Sequence, residues 1–554
     1  MPTDVCSLVS TPRDCPSKSI CGGQYAHFGL QTAPLRMPYD TSLMNTDEVA
    51  IQFHIHGVRP FKSSKLQLWP ILCRLVMPLT TTPFMVGLFS GRSKPWNVND
   101  YLSDLVTELF NLISDGVTVG NTGPKKKLII SSIICDVPAT AFVKRKPEHT
   151  GYASCDCSTQ EGVYIDHMVT HPLTDCPSRT DESFRCARKH KESPFEALPL
   201  DMIHHFPYDY MHSVCLGVVH KLVSLWLESP CNKGVHLEMD TTENVDSRII
   251  ACSRLLRDDF PRVCRGWSEF RNWKACEFRQ FLLCIGQWVL KGAISHRTYS
   301  KFLDLSIGIY VLSHPVFLGP SFEYGNSCPR KFVHEFSHIY RAGEMTYNVH
   351  SLIHLADDVG HHDQLDRFSA FPFESCIHHI ERMLHSTCNP VAQLYRRWNK
   401  ERTVVKMIKA DQSLHVEDNN NGCRIRKLPH KGSFLPNVGP NNIIIAHKLP
   451  HLIVDINTID ANQPIHFCER SEVNVDFWVH GIPSSMLFIF QVNQVNDRVH
   501  CLFLSDVFCK RVFFISSSIS LVIPLLHTFD KTPINIGYYG VLVNSYSADV
   551  NDVT

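Results

Sequence analysis

Between Glu48 and Pro138 the apolar residues change spacing in a set order, and that order limits the fold more than any other feature of the chain. Residues 49–57 (VAIQFHIHG) alternate and are rich in β-formers. Residues 66–77 and 83–89 (LQLWPILCRLVM, PFMVGLF) follow between Ser, Lys, Thr and Pro boundaries. The three segments predict successive antiparallel strands. In NVNDYLSDLVTELFNLISDG, the residues Leu102, Leu105, Val106, Leu109, Phe110 and Ile113 recur at helical spacing. Asn97 or Asn99 is placed to cap that helix and Gly116 to end it. KKKLIISSIICDVPA then predicts a buried strand that ends at Asp136.

The β-β-β-α-β order is that of the front half of a ribonuclease-H-like α/β sheet, in which acidic residues on the first and fourth strands can meet. Another α/β sheet would give the same text. Further along, residues 144–195 are polar with scattered Cys and His. Helical text runs from 196 to 345 and continues to about 388 through NVHSLIHLADDV and FPFESCIHHIERMLHS. Residues 411–442 read as an Asn/Pro/Gly-rich linker, and from Ile443 short β-branched runs predict a small β-rich domain.

Charge excludes one class of partner at the level of the whole chain. Fifty-four Lys and Arg balance 54 Asp and Glu, so any nucleic-acid surface must be local. One such place exists. Arg396, Arg397, Lys400, Arg402, Lys406, Lys409, Arg424, Arg426, Lys427 and Lys431 face Glu401, Asp411, Glu417 and Asp418, a local net of +6. It can track phosphates or form a solvated helix face. The 22 cysteines are spread along a chain with no basic start leading into an apolar run, which predicts reduced thiols in an intracellular protein. No run of about 18 apolar residues predicts a membrane span.

Several residues can carry chemistry. Asp136 ends a buried strand, suited to a metal ion or to capping the turn before Pro138. Glu374 falls in the first turn of a helix whose apolar face is Phe373, Ile377, Ile380 and Leu384; it can serve a metal or only the helix dipole. Asp209 and His212 share one side of a helix start, as a cap and its partner or as a phosphate contact. His350 and His354 are four apart on one face; without an HExxH glutamate they read as a structural pair. Cys155 and Cys157 sit one residue apart, closer than zinc knuckles use, with His149, His167, His171, Cys176 and Cys186 as complements.

Taken in order, these blocks resemble transposases of the CACTA/Mirage/Chapaev group, Plavaka-like members included. VAIQFHIHGVRPFKSSKLQLWPIL resembles the family's first-strand block. IICDVPATAFV, HTGYASC, STQEG, RTDESFR, FPYDYMHSVCLGVVHKL, NVHSLIHLADD and FSAFPFES resemble later blocks. The resemblance spans about Ser10 to Arg402. It implies a ribonuclease-H-like nucleus-acting enzyme with an Asp-Asp-Glu set, two Mg2+ or Mn2+ ions, and transposon-end DNA as partner. By motif the second Asp is Asp136, the Glu is Glu374, and Asp209 with His212 form the family's Asp-x-x-His element. The interval of 238 positions from 136 to 374 exceeds what the core needs, so the helical stretch reads as an insertion. The expected layout is a lead-in at 1–46, the front of the core with its Cys/His loop at 47–195, and the helical insertion at 196–345. Closing helices with Glu374 follow at 346–410, then the linker at 411–442 and the β-rich domain at 443–554.

The chain departs from the family pattern at the first acid. Where the family has Asp-Gly, this sequence has His56-Gly57. An imidazole cannot bridge two magnesium ions as a carboxylate does. Glu48, eight strand residues upstream, would lie about 26 Å away. Ser158 replaces the second cysteine of the family's pair, so the expected zinc set of Cys155, Cys157 and His149 is incomplete. The lead-in shows no zinc finger, homeodomain or basic helix. The resulting expectation is a transposon-derived protein that has lost DNA cleavage and binds DNA through Arg396, Arg397, Lys400 and Arg402. An active transposase and a protein-interaction scaffold are the alternatives. The oligomeric state is not legible.

Overall fold

The computed structural model describes residues 14–30, 46–118, 124–148, 150–186, 191–229, 234–256, 260, 262–319 and 321–408, and the backbone of short strands between 427 and 524. The chain divides into two compact units, one of residues 1–213, 345–363 and 367–414, the other of residues 214–344, 364–366 and 415–554.

The first unit is built on strand β3 (Glu48–Ile55), buried along nearly its whole length. A strand buried on both faces belongs at the centre of a covered sheet. β4 (Gln67–Met77) pairs with it antiparallel, and β5 (Phe84–Gly91) pairs antiparallel with β4. On its other side β3 pairs parallel with β7 (Lys125–Cys135). A parallel neighbour requires a crossover, which helix α1 (Val98–Asp115) supplies. With β1 (Ser17–Ile20), β2 (Gly23–His27) and β6 (Val117–Thr118) the mixed sheet has the order β1-β2-β5-β4-β3-β7-β6.

The Asn97 side chain caps α1 by accepting from Asn99 N at 3.0 Å, and Gly116 ends it at φ +77°. Tyr101 seats the helix. Its ring is fully buried near Tyr25, Trp69 and Phe89, and its hydroxyl donates to Trp69 O at 3.1 Å. Phe110, expected on the buried face, is 58% exposed. The stripe that meets the sheet is Tyr101, Leu102, Leu105, Leu109 and Leu112, which leaves Phe110 rotated off it.

The lead-in at 1–46 is not irregular throughout. β1 and β2 form a hairpin that extends the sheet beyond β5. Its two-residue turn, Cys21-Gly22, has positive φ at both positions (51° and 71°), the geometry that matches strand twist. These strands carry little apolar alternation, and pairing to β5 stabilises them instead.

The second unit begins with helices. His220–Glu228, Met239–Leu256, His296–Leu312 and Phe322–Tyr340 are its longer ones. Buried Trp226, Trp267, Phe281 and Phe302 form its aromatic centre, and the Trp226 indole donates to the Tyr340 hydroxyl at 3.2 Å. The predicted linker contains a hairpin, Lys427–His430 with Ser433–Pro436. Eight strands between Ile443 and Pro524 share one sheet. Among the described residues no helix is long and apolar enough to cross a membrane.

One buried network fixes the segment that leads to Glu374. Arg74 on β4 donates to Gln52 Oε1 at 2.9 Å and to Arg367 O at 2.6 Å. Gln52 on β3 also donates to Arg367 O, at 3.1 Å. Burial lowers the Arg74 pKa to about 10, with Arg367 adding to the effect, so it stays charged at neutral pH. Replacing Arg74 by Ala strands Gln52 Oε1 in a buried place and leaves Arg367 O with Gln52 as its donor. Arg74→Ala is expected to lower stability by about 3 kcal/mol in urea unfolding, with Arg74→Lys recovering only part because its ammonium lacks the planar fork. A loss below about 0.5 kcal/mol, the range of unremarkable surface changes, would show that this network does not hold the segment.

Candidate functional site

Side chains alternate along a strand, so Gln52, His54 and His56 share one face of β3. His54 pairs with Ile134 and Ile55 with Cys135 in the parallel register. Continuing it by one residue sets His56 opposite Asp136, and His56 Nδ1 lies 3.2 Å from Asp136 Oδ2. Asp136 works at a second point, since its Oδ1 accepts from Ala139 N at 2.8 Å and caps α2 (Val137–Lys144). Gly57 is required by close approach: a Cβ there would stand 2.5 Å from the Trp69 ring.

Glu374 comes from the first turn of α4 (Phe371–Met383), whose residues Phe373, Ile377 and Ile380 are buried, as is Leu384 after it. The Phe373 ring stacks on His54 at 5.0 Å, with the Arg74 guanidinium 5.1 Å from its centroid. Thus seated, α4 directs Glu374 Oε1 to within 3.5 Å of His54 Nε2, 3.8 Å of His212 Nε2 and 4.0 Å of His56 Nε2. His54 is wholly buried and neither of its ring nitrogens makes a hydrogen bond; Glu374 Oε1 makes none either.

His212 stands in the first turn of α3 (Met211–Val219), which opens with π-type hydrogen bonds. Asp209, 3% exposed, holds it there. Its Oδ2 accepts from His212 Nδ1 at 2.7 Å and from His212 N at 3.0 Å. Its Oδ1 accepts from Met211 N at 3.3 Å and from Ala370 N, at the start of α4, at 2.8 Å.

Charge and burial compete at each member of the cluster. Burial alone would lower the His212 pKa, but the hydrogen bond and charge of Asp209, aided by Glu374 and Asp136, push it up to about 9. His56 is also raised: burial opposes its charge, and Asp136 and Glu374 outweigh burial. His54 is lowered, chiefly by burial. Burial would raise Glu374 and Asp136, yet the neighbouring imidazoles hold both below the ordinary carboxylate range.

Among the described residues, two groups of three present donor atoms within 4.8 Å of one another: His56, His212 and Glu374, and, buried, Cys155, His350 and His354. The first group differs from the expected pair of ligands. Asp136 is not in the group; its Oδ1 accepts from Ala139 N, and its Oδ2 lies 3.2 Å from His56 Nδ1. The second group shares Cys155 with the expected zinc set and differs from it in the other members. Cys155 Sγ lies 3.5 Å from His354 Nε2 and 3.2 Å from Ser158 Oγ, and it accepts from Ser158 N at 3.3 Å. His350 and His354, read as a structural pair, are its partners. Cys157 is not in the group. Asp156 between the two cysteines is anchored by Lys146 at 2.8 Å and Lys144 at 3.2 Å. Burial pushes the Cys157 thiol well up, with Asp358 and Cys155 adding to it. At Cys155 the two histidines overcome burial and hold the thiol well below its usual value. His149 lies outside the described residues.

The basic stretch is only partly a free surface. Arg396, Arg397 and Lys400 lie on α5 (Pro390–Ile408). Arg397 is engaged with Met383 O, at the end of α4, and with the His385 ring at 3.3 Å. Arg396 is exposed. The Arg402 side chain lies outside the described residues, as do the further basic side chains to Lys431.

Sequence reasoning missed His54 and gave His56 no partner but loss. The signal was there in HIH: two histidines at strand spacing, ending a first strand, must face the same way. No protein-family profile matches the chain, and no curated protein matches it.

The His212–Asp209 pair makes stability depend on pH. The His212 pKa rises from 6.5 to about 9 on folding. Its contribution is therefore complete below about pH 6.5 and lost as pH rises through about 9, worth about 3 kcal/mol at roughly 1.4 kcal/mol per unit. Asp358, which burial pushes up to about 8, gives a slope of the same sign at lower pH. Asp209→Asn separates the two. In denaturant titrations with a chelator, the native chain is expected to lose stability between pH 6.5 and 9 and the variant to lose clearly less. Parallel curves would show that the pair carries no linkage.

Proposed function

We propose that the chain is a transposon-derived, ribonuclease-H-like protein of the Asp-Asp-Glu type that has lost metal-dependent DNA cleavage and acts by binding DNA in the nucleus. One observation supports this reading above the others. Positions 56, 136 and 374 meet at the same end of the sheet, with His56 3.2 Å from Asp136 and 4.0 Å from Glu374. Three antiparallel strands, a crossover helix and a parallel fourth strand supply the frame. Those are the positions at which the resemblance implies the three acids.

The magnesium pair that the family uses does not fit these residues. Two hard ions about 4 Å apart need carboxylates between them. Here the position nearest both Asp136 and Glu374 is an imidazole, and Asp136 already caps a helix. No cleavage step follows from such a set. DNA contact rests on Arg396 and Lys400 of α5, together with the basic residues that follow in sequence.

The test is a cleavage assay with the native chain and His56→Asp on DNA in magnesium or manganese. No nicking or joining is expected from the native chain, while DNA retention is expected to fall steeply with salt and to weaken when Arg396 and Lys400 become Ala. Robust metal-dependent nicking by the native protein, abolished by Asp136→Ala, would overturn the reading in favour of an active transposase. Salt-insensitive behaviour with no DNA retention would favour the scaffold.

The Cys155, His350 and His354 group is read as a structural zinc site. A thiolate and two imidazoles are the soft and borderline donors zinc takes, and the three are buried in one unit. Purified protein is expected to carry zinc that is lost, with a fall in thermal midpoint, in Cys155→Ala. Unchanged zinc content in that variant would reject the assignment.

A further inference from the structure

The donor set at the sheet end has an internal logic of its own. His212 is held through Nδ1 by a hydrogen bond to Asp209 at 2.7 Å, and His56 Nδ1 faces Asp136 Oδ2 at 3.2 Å in ion-pair contact. Such partners orient metal-binding imidazoles and leave Nε2 as the ligand atom. Both Nε2 atoms address the same oxygen, Glu374 Oε1, at 3.8 and 4.0 Å. These separations are too long for hydrogen bonds. Ligands on one tetrahedral ion with bonds near 2.0–2.1 Å stand about 3.4 Å apart, so a few tenths of an ångström of side-chain movement closes the set. Glu374 Oε1 is buried without a hydrogen-bond partner, as are both nitrogens of His54, which lies wholly buried behind it with Nε2 3.5 Å away. The side chains of His56, His212 and Glu374 are 19–29% exposed, which leaves solvent a way in.

We propose that His56, His212 and Glu374 form a mononuclear site for a divalent first-row transition ion, zinc or cobalt in preference to magnesium. Two imidazoles and one carboxylate are borderline donors; magnesium takes oxygen and a near-octahedral shell. Three protein ligands with part-exposed side chains leave a position open to water, whereas the Cys155 group is buried. The residue that spoils a magnesium pair is thus the one that completes a site for a single, softer ion. This inference rests on the geometry alone and not on the transposon-derived reading.

The full chain, stripped with a chelator, is titrated with Co2+ and with Zn2+. Cobalt at the Cys155 group gives sulfur-to-metal charge-transfer absorption, and cobalt at the His56 group gives only ligand-field bands, so the two sites are read separately. One equivalent without the sulfur band is expected, undisturbed by a large excess of Mg2+. His56→Gln and Glu374→Gln are expected to weaken it by at least about 100-fold, beyond the 10–100-fold seen for outer-shell partners. Far-UV circular dichroism checks that the metal-free variants fold. Zinc-soaked crystals of the native chain give a reading that needs no variant, an anomalous peak between His56, His212 and Glu374. No peak there, equal affinity in both folded variants, or ready displacement by Mg2+ would overturn the proposal. Magnesium-dependent nicking by the native chain would overturn the cleavage-deficient reading, and absence of nicking leaves this site to the metal titration alone.

Discussion

The buried side chain of Asp209 accepts four hydrogen bonds, from the backbone of Met211 and His212, from the His212 ring, and from the backbone of Ala370. Two of these cap α3, and one fastens the start of α4 to it, across 161 residues of sequence. A buried carboxylate is costly unless its acceptor sites are filled, and filling them here dictates where both helices begin. Glu374 and His212 face each other because of that carboxylate. The Gln52, Arg74 and Arg367 network performs the matching task on the sheet side, tying the segment before α4 to β3 and β4.

The imidazoles make this cluster stable without an ion. Three carboxylates this close would repel and resist ionisation. With His56 against Asp136, His212 against Asp209, and both facing Glu374, negative charge is matched locally, and Glu374 and Asp136 stay ionised despite burial. A histidine after β3 therefore does two things at once. It weakens the demand for hard divalent ions and lets the fold persist where an all-carboxylate site would need them.

The Cys155 group shows a different solution in the same unit. Its members come from a turn-rich loop and from consecutive short helices over 347–362, and all three are buried. Asp156, between the two cysteines, is anchored by Lys144 and Lys146. Spacing within CDC could not reveal which thiol meets the histidines, since His350 and His354 lie far along the chain.

Local periodicity was enough to place β3, β4, β5, α1 and β7, because alternation and helical spacing are properties of neighbouring residues. It also marked Asp136, Asp209, His212 and Glu374 as residues at strand ends or first helical turns, and it put Asn97 and Gly116 at the ends of α1. Other features had no local cause. The β1-β2 hairpin exists through its pairing to β5, Phe110 is exposed by the rotation of α1 on the sheet, and Arg397 is drawn to the end of α4. His350 and His354 looked like a pair of their own until the fold brought Cys155 to them. The convergence of positions 56, 136, 212 and 374 required the parallel register of β3 with β7 and the Asp209 junction, which act between segments far apart in the chain. Sequence alone determined which groups were available and on which elements they sat; tertiary structure decided which of them share a site, because distance in space is set by register and buried hydrogen bonds rather than by spacing along the chain.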